Sequence, residues 1–177
     1  MILSYLTEKY VLRKSMASKI KAIIVDLDGT LSNSEHRNHF VDRDGRKDFK
    51  SFCDNLIYDP PNEWCVSLIN AMYKDGIMPL YVTGRSDEYR ELTLQWFHNN
   101  FSESKHPIVL HNNYVSDNLY MRPANNYDSD VVIKTDIYNS KLKDKYDIIF
   151  CIDDRKKISS MWRSLGLVCL HCAEGEF

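Results

Sequence analysis

The sequence predicts a doubly wound, Rossmann-like α/β domain, in which helices cover both faces of a mostly parallel sheet and the cap is minimal. Short apolar runs alternate along the chain with segments whose apolar residues recur at helical spacing. Residues 22–25 are apolar without interruption, which is typical of a strand that is buried on both faces. Asp26 and Asp28 follow this strand directly, at the edge where open α/β sheets bind ligands.

Length and composition indicate one globular domain without a large basic surface. The chain has 177 residues, 44% of them hydrophobic, and a net charge of -2, whereas non-specific duplex binders depend on a strongly basic face. We predict an N-terminal extension over residues 1–20, too polar for a signal peptide or a membrane span, and one domain over residues 21–177. Five cysteines, an odd number, favour reduced thiols and a cytoplasmic location.

The remaining elements follow from local patterns. Apolar, β-branched runs predict strands over residues 22–25, 77–82, 107–110, 148–152 and 167–170. Capping residues, helical spacing and terminal glycines predict helices over residues 48–55, 63–74, 87–100, 130–139 and 156–165. Residues 32–48 are polar and are predicted to cover the mouth of the site, and residues 121–126 form a loop by composition.

Polar side chains follow three of the predicted strands, and one helix contributes another. They are Asp26 and Asp28, Thr83 and Arg85, Asp153 and Asp154, and Lys134. Each has an alternative role, because a carboxylate at a strand end is often a helix cap or a turn former. Together, however, these groups would meet at one edge of the sheet. Adjacent buried carboxylates repel each other unless a cation or a shared proton separates them, so the group predicts a metal site.

In their order along the chain, the four groups resemble the motifs of the haloacid dehalogenase superfamily of phosphotransferases. Within that superfamily, the chain is similar to the phosphatase domain of bacteriophage polynucleotide kinase, over about residues 22–177. The similarity also rests on His36-Arg37, Met121-Arg122-Pro123, Asp130 before Lys134, Asp153-Asp154-Arg155, Met161-Trp162-Arg163 and the closing Gly175-Glu176-Phe177.

The resemblance implies a catalytic role for four residues. Asp26 would be the nucleophile that forms an aspartyl-phosphate, which water then hydrolyses. Asp28 would act as general acid and base, and would be partly protonated when the substrate binds. Thr83 and Lys134 would hold the non-bridging phosphate oxygens as charge shifts in the transition state.

The resemblance also implies Mg²⁺ as the cofactor. Asp26, the backbone carbonyl of Asp28, and Asp153 would hold the ion, while Asp154 would bind or orient a metal-bound water. Carboxylate and carbonyl oxygens are the ligands that this hard cation prefers. These four residues therefore form the predicted metal site.

For substrate binding, the resemblance implies Arg37, Gly84, Arg85, Arg122 and Asp130. The planar guanidinium group of arginine binds phosphate through two parallel hydrogen bonds. Surface ion pairs are the alternative role for the arginines, and a helix cap is the alternative for Asp130. Four aromatic residues could either stack on a base or pack inside the protein: Phe40, Tyr114, Tyr120 and Tyr127.

The implied activity is that of a Mg²⁺-dependent phosphomonoesterase acting on 3′-phosphates of nucleic-acid ends or of nucleotides. A 5′-nucleotidase or small-metabolite phosphatase is the first alternative, and a non-catalytic module that binds nucleic-acid ends is the second. The sequence contains no G-x-x-x-x-G-K-[ST] phosphate loop, so we expect no use of ATP. The expected partners are phosphorylated nucleic-acid ends or nucleotides, not a membrane, and a homodimer stays open.

Overall fold

The computed structural model describes residues 19–41, 48–101 and 112–174. Residues 1–18 of the predicted extension and the predicted strand over residues 107–110 lie outside the described residues. Within them, parallel strands form a sheet in the order β3–β2–β1–β4–β5. The strands are β1 (Ile20–Val25), β2 (Met78–Ser86), β3 (Leu119–Arg122), β4 (Tyr146–Asp153) and β5 (Cys169–His171).

Helices connect the strands. The described ones are α1 (Glu35–Asn38), α2 (Phe49–Asp54), α3 (Glu63–Lys74), α4 (Arg90–Asn100), α5 (Asn112–Asn118), α6 (Asp130–Ile137) and α7 (Lys156–Ser164). Short helical turns also occur at Leu56–Tyr58, Asp87–Tyr89 and Tyr138–Leu142. Among the helices of the described ranges, none has both the length and the apolar character of a membrane-spanning segment.

Two hydrophobic cores lie on the two faces of the sheet. Alternate residues of β1 pack in one core or the other, because successive side chains of a strand point to opposite faces. Ile23 and Val25 pack in the core that contains Trp96 of α4, while Ile24 packs in the core that contains Trp162 of α7. The apolar part of the central strand is therefore buried on both sides, and the predicted doubly wound α/β fold is confirmed.

The strand next to β2 differs from the prediction. β3 spans Leu119–Arg122, so the loop predicted over residues 121–126 begins only at Pro123. Met121 is buried in a core, and this tertiary contact outweighs the loop-like composition of the segment. Pro123 cannot donate a backbone hydrogen bond to a neighbouring strand, in keeping with the end of β3 at this point. The helix α5, directly before β3, was not predicted.

Other boundaries shift as well. β2 continues to Ser86, which pairs with Arg122 of β3 after a change of register, so Thr83, Gly84 and Arg85 lie within the strand and not after it. β5 begins at Cys169, two residues later than predicted. These shifts leave the polar groups at the same edge of the sheet.

Candidate active site

The carboxyl ends of β1 and β4, which are neighbours in the sheet, bring three aspartates together. Asp26 follows β1, and Asp153 and Asp154 stand at the end of β4. Lys134 reaches them from α6 and donates hydrogen bonds to Asp26 Oδ1 and Asp153 Oδ2, each at 2.7 Å. We call these four residues the acidic cluster. All four are buried, so water screens their charges only weakly.

The acidic cluster places three carboxylates around the one ammonium group of Lys134. Burial raises the pKa of Asp26 well above its ordinary value, and Asp153 and Asp154 raise it further, although Lys134 opposes them. Burial, and after it Asp153, raises the pKa of Asp154 to about 6. Burial alone would lower the pKa of Lys134, but Asp153 and Asp26 outweigh it and raise that pKa. The cluster therefore attracts further positive charge.

The three aspartates fit a divalent cation. One carboxylate oxygen from each of Asp26, Asp153 and Asp154 lies within 4.8 Å of the other two. Asp154 Oδ1 is buried and has no hydrogen-bond partner among the described residues, an arrangement that costs free energy unless a cation satisfies the oxygen. A set of oxygen ligands suits Mg²⁺. The Asp28 side chain lies outside this group, and the metal contact of its backbone carbonyl stays a prediction.

Gly29 makes room for one of these carboxylates. Its φ of +80° lies in the left-handed region that favours glycine, and a Cβ atom at this position would clash with Asp154 Oδ2. A side chain here would displace Asp154. The glycine of the Asp-x-Asp-Gly motif is thus required by both the backbone and the acidic cluster.

A second group of charges surrounds Asp28. Arg85 donates from Nε to Asp28 Oδ2 at 3.0 Å and from Nη2 to Asp28 Oδ1 at 2.6 Å. Arg37 Nη2 donates to the same Oδ1. Arg37 also binds Asp59, through Nε at 2.7 Å and Nη2 at 2.6 Å. We call Asp28, Arg37, Asp59 and Arg85 the arginine cluster, in which two carboxylates balance two guanidinium groups.

The arginine cluster keeps Asp28 ionised in the protein without substrate. Burial alone would raise its pKa, but Arg85 and Arg37 lower the pKa of this carboxyl well below its ordinary value. A general acid needs a proton, so the protonation expected of Asp28 has to follow substrate binding. Phosphate oxygens are strong acceptors for the same guanidinium N–H groups and would compete with Asp28 for them.

Asp59 is a site residue that sequence reasoning missed. It opens the stretch of residues 59–62 that indicates a turn, and its partner Arg37 lies 22 positions earlier, so no local pattern signals the pair. Asp59 is only 2% exposed. His36 Nε2 lies 2.8 Å from Asp59 Oδ1, and the Trp96 indole N–H donates to the Asp59 carbonyl at 2.8 Å. Asp59 therefore fixes Arg37 from the side of the protein interior.

Arg122 is held by β2 and by α6. Its Nε donates to the Gly84 carbonyl at 2.8 Å, and its Nη2 donates to Asp130 Oδ1. Arg155, for which no site role was predicted, donates to the other carboxylate oxygen of Asp130. A Cβ atom on Gly84 would lie 2.7 Å from Asp130 Oδ1, so glycine permits this approach. Asp130 thus connects two arginines, and their contact with substrate stays a prediction.

A cleft of about 620 Å³ opens over these groups. Most of the predicted site residues line it: Asp26, Asp28, Thr83, Gly84, Arg85, Arg122 and Asp130. The others lie buried behind that lining: Arg37, Lys134, Asp153 and Asp154. The Thr83 hydroxyl accepts a hydrogen bond from the backbone N–H of Arg85 at 3.2 Å. The structure therefore gathers the predicted residues around one cleft at the carboxyl edge of the sheet.

Comparison with known proteins connects this site to a family. Residues 20–177 match the family model of the polynucleotide kinase PNKP phosphatase domain, a haloacid dehalogenase phosphatase. The chain belongs to this family. The resemblance expected from the motifs is confirmed, and the protein contains a phosphatase domain of this type.

Individual relatives are longer than this chain. The chain is 27% identical over 147 residues to a protein described as a bifunctional polynucleotide kinase/RNA ligase, from Autographa californica nuclear polyhedrosis virus. That match covers 83% of this chain and 18% of the viral protein. A chain in the structure of the Pnkp1/Rnl/Hen1 RNA repair complex is 28% identical and has a TM-score of 0.68. It is matched over 91% of this chain and 45% of its own length.

A more distant structure shares the fold. The class C acid phosphatase from Bacillus anthracis with tungstate bound has a TM-score of 0.57, at 13% identity. The match covers 92% of this chain and 68% of that protein. At this identity the likeness concerns the fold alone, which agrees with the parallel sheet and its two helical layers.

Proposed function

We propose that this phosphatase domain removes 3′-phosphates from polynucleotide ends or nucleotides, in a Mg²⁺-dependent reaction through an aspartyl-phosphate. The observation that carries the proposal is the acidic cluster, because its Asp26 lines the cleft and binds Lys134. The chain belongs to the PNKP phosphatase family. A nucleic-acid substrate is supported by the relatives, whose names refer to polynucleotide kinase, RNA ligase and RNA repair.

Asp26 supplies the nucleophile in this proposal. One of its carboxylate oxygens attacks the phosphorus atom, the bond from phosphorus to the ribose 3′-oxygen breaks, and the leaving oxygen takes a proton from Asp28. Water then attacks the phosphorus atom of the aspartyl-phosphate and gives its proton to the Asp28 carboxylate. Inorganic phosphate leaves, and the carboxylate of Asp26 is restored.

Lys134 and Thr83 stabilise the phosphate during these steps. The raised pKa of Lys134 keeps its ammonium group charged beside Asp26. A fixed positive charge next to the attacking oxygen offsets the repulsion between a carboxylate and a phosphate dianion. Mg²⁺ held by Asp26, Asp153 and Asp154 would supply further charge stabilisation for the phosphate oxygens.

The arginine cluster orients Asp28. Before the substrate binds, two guanidinium groups fix both oxygens of this carboxyl. The substrate phosphate then competes for these guanidinium groups, and Asp28 takes up the proton that it gives to the leaving oxygen. Asp59 acts one step further away, because it holds Arg37 in place.

The proposed reaction needs no ATP, because water is the co-substrate of the hydrolysis. All five cysteines are free thiols, in keeping with the reducing cytoplasm that we propose as its location.

Phosphate release from two single-stranded oligonucleotides of one sequence, phosphorylated at either the 3′ or the 5′ end, tests the proposal. We expect release from the 3′-phosphorylated strand with Mg²⁺, and none with EDTA or with Asp26→Asn. Asp54→Asn is the matched control, because Asp54 is an exposed aspartate outside the cleft lining.

Two results would contradict the proposal. Preferred release from the 5′-phosphorylated strand would favour the 5′-nucleotidase alternative. No release from either strand or from nucleoside 3′-monophosphates would favour a non-catalytic module that binds nucleic-acid ends.

A further inference from the structure

An exposed tyrosine stands in the wall of the same cleft as the acidic cluster. Tyr127 is 92% exposed, and it lines the cleft that Asp26 and Asp28 also line. Single apolar side chains on a protein surface need no explanation. An aromatic ring in the lining of the cleft that holds the predicted nucleophile differs, because a ligand in that cleft can contact it.

Hydrogen bonds fix the backbone on both sides of Tyr127. Arg122 Nη1 donates to the carbonyls of Asn126, at 3.2 Å, and of Asp128. The Asn126 side chain accepts from the Asp128 backbone N–H at 2.8 Å, and the Asn126 N–H donates to the Pro123 carbonyl at 3.2 Å. The ring therefore projects from an ordered turn that is tied to Arg122, so little backbone entropy is lost when the ring contacts a ligand.

A second segment adds aromatic surface to this cleft. Phe49, in the first turn of α2, is 59% exposed and lines the cleft together with Phe52. Asn125 and Asn126, which carry amide side chains, also line the cleft. A flat apolar ligand with hydrogen-bonding edges matches such a surface, and a nucleobase has that chemistry.

The other aromatic residues considered from the sequence lie elsewhere. The Tyr114 ring packs edge-on against Tyr73 at 5.6 Å. Tyr120 packs against a hydrophobic core, and the Phe40 ring lies 4.0 Å from that of His39. Of this set, Tyr127 is the one placed to meet a ligand in the cleft.

We propose that Tyr127 stacks on the nucleobase of the nucleotide that carries the scissile phosphate. This inference rests on the proposed function, and it gives the cleft two tasks. The acidic cluster and its neighbours hold the phosphate, while Tyr127 binds the base and so selects nucleotides over other phosphomonoesters. Stacking tolerates any base, because every base has an aromatic face.

Two substrates and three variants test the inference. The substrates are single strands with a 3′-phosphate on a normal or on an abasic terminal nucleotide. Tyr127→Ala removes the ring and Tyr127→Phe keeps it. Tyr58→Ala is the matched control, because Tyr58 is 73% exposed and lies outside the cleft lining.

On the normal strand, we expect Tyr127→Ala to raise KM about tenfold with little change in kcat, since stacking contributes equally to ground and transition states. Tyr127→Phe and Tyr58→Ala should match the wild type. The abasic strand should raise the wild-type KM by the same factor, and Tyr127→Ala should then have no further effect.

Each contrary outcome has a distinct meaning. An unchanged KM for Tyr127→Ala on the normal strand, or an equal rise on the abasic strand, would overturn base stacking while the phosphatase proposal stands. If the wild type released phosphate from neither strand, the proposed function itself would fail, and this inference with it.

Discussion

Asp26 and Asp28 are two residues apart, yet they lie in opposite electrostatic settings. Asp26 is buried with two further carboxylates and one lysine, and burial raises its pKa. Asp28 is held by Arg37 and Arg85, which lower its pKa. Asp59 adds a second negative charge to the arginine cluster around Asp28. One short motif therefore serves two clusters with different charge balance.

The difference indicates what each cluster requires. The arginine cluster balances its charges within the protein, so it holds its geometry without a ligand. The acidic cluster has more negative than positive charge in direct contact, and the buried Asp154 Oδ1 has no hydrogen-bond partner among the described residues. We infer that the first cluster is a preformed scaffold and that the second is completed by a cation and a phosphate.

The largest expected effect comes from Asp26→Asn. Loss of the nucleophile should reduce phosphate release at least about 10³-fold. The same change removes one of three crowded carboxylates, so the melting temperature in EDTA should stay equal to the wild type or rise. Phosphate assays and thermal melts on one preparation measure both. A variant that keeps a tenth of the wild-type rate would contradict the assigned role.

Asp59→Ala should break the scaffold instead. It leaves the buried guanidinium of Arg37 without its bidentate partner, and removal of one member of a buried ion pair costs about 3–5 kcal/mol. Urea unfolding measures this loss. Asp87→Ala, which removes a partly exposed pair with Arg90, is the control and should cost about 0–1 kcal/mol. Equal, small losses in both variants would show that Asp59 does not support the cluster.

Alanine substitutions at two glycines distinguish the effect of backbone strain from the effect of damage to the acidic cluster. Gly29 and Gly76 have φ values of +80° and +78°, but a Cβ atom at Gly76 would meet none of the described residues within 4 Å. Both alanine variants should lose about 1–2 kcal/mol of stability from left-handed backbone strain. Gly29→Ala should also reduce activity about tenfold or more, because the new Cβ displaces Asp154. Equal activity in Gly29→Ala and Gly76→Ala would refute that contact.

The smallest effect is the pH dependence of stability in EDTA. The pKa of Asp154 is raised from 3.8 to about 6. The folded protein therefore binds its proton more tightly, and the stability it contributes is present below 3.8 and lost as the pH rises through about 6. Asp28, whose pKa is lowered, contributes stability that is lost only in acid.

Thermal melts of the wild type and Asp154→Asn in EDTA measure this effect. The wild-type melting temperature should fall by a few degrees relative to the variant between about pH 4 and pH 7. A constant difference across this range would contradict the raised pKa of Asp154, which follows from its burial and from Asp153.

The acidic cluster could be predicted because its signals are local. Each aspartate follows an apolar run, and Lys134 lies on a predicted helix. A parallel sheet then brings the carboxyl ends of its strands to one edge. The alternation of apolar runs and helical segments likewise predicted the fold class. β3 was not predicted, because tertiary packing sets its position.

The rest of the site depends on contacts between distant segments. In the sequence, Asp59 has the pattern of a turn residue, and only the structure shows that Arg37 binds it. Arg155 belongs to the site because it donates a hydrogen bond to Asp130. Tyr127 belongs to it because its loop lines the cleft. Ion pairs and cleft walls of this kind leave no periodic signal in the chain.

Calorimetric titration of Mg²⁺ into the metal-free protein at about pH 7.5 tests the central claim, that the acidic cluster requires a divalent cation. We predict binding of Mg²⁺ by the wild type and by the control Asp54→Asn, and loss of binding in Asp153→Asn. Absence of binding by the wild type, or unchanged binding in Asp153→Asn, would contradict the claim.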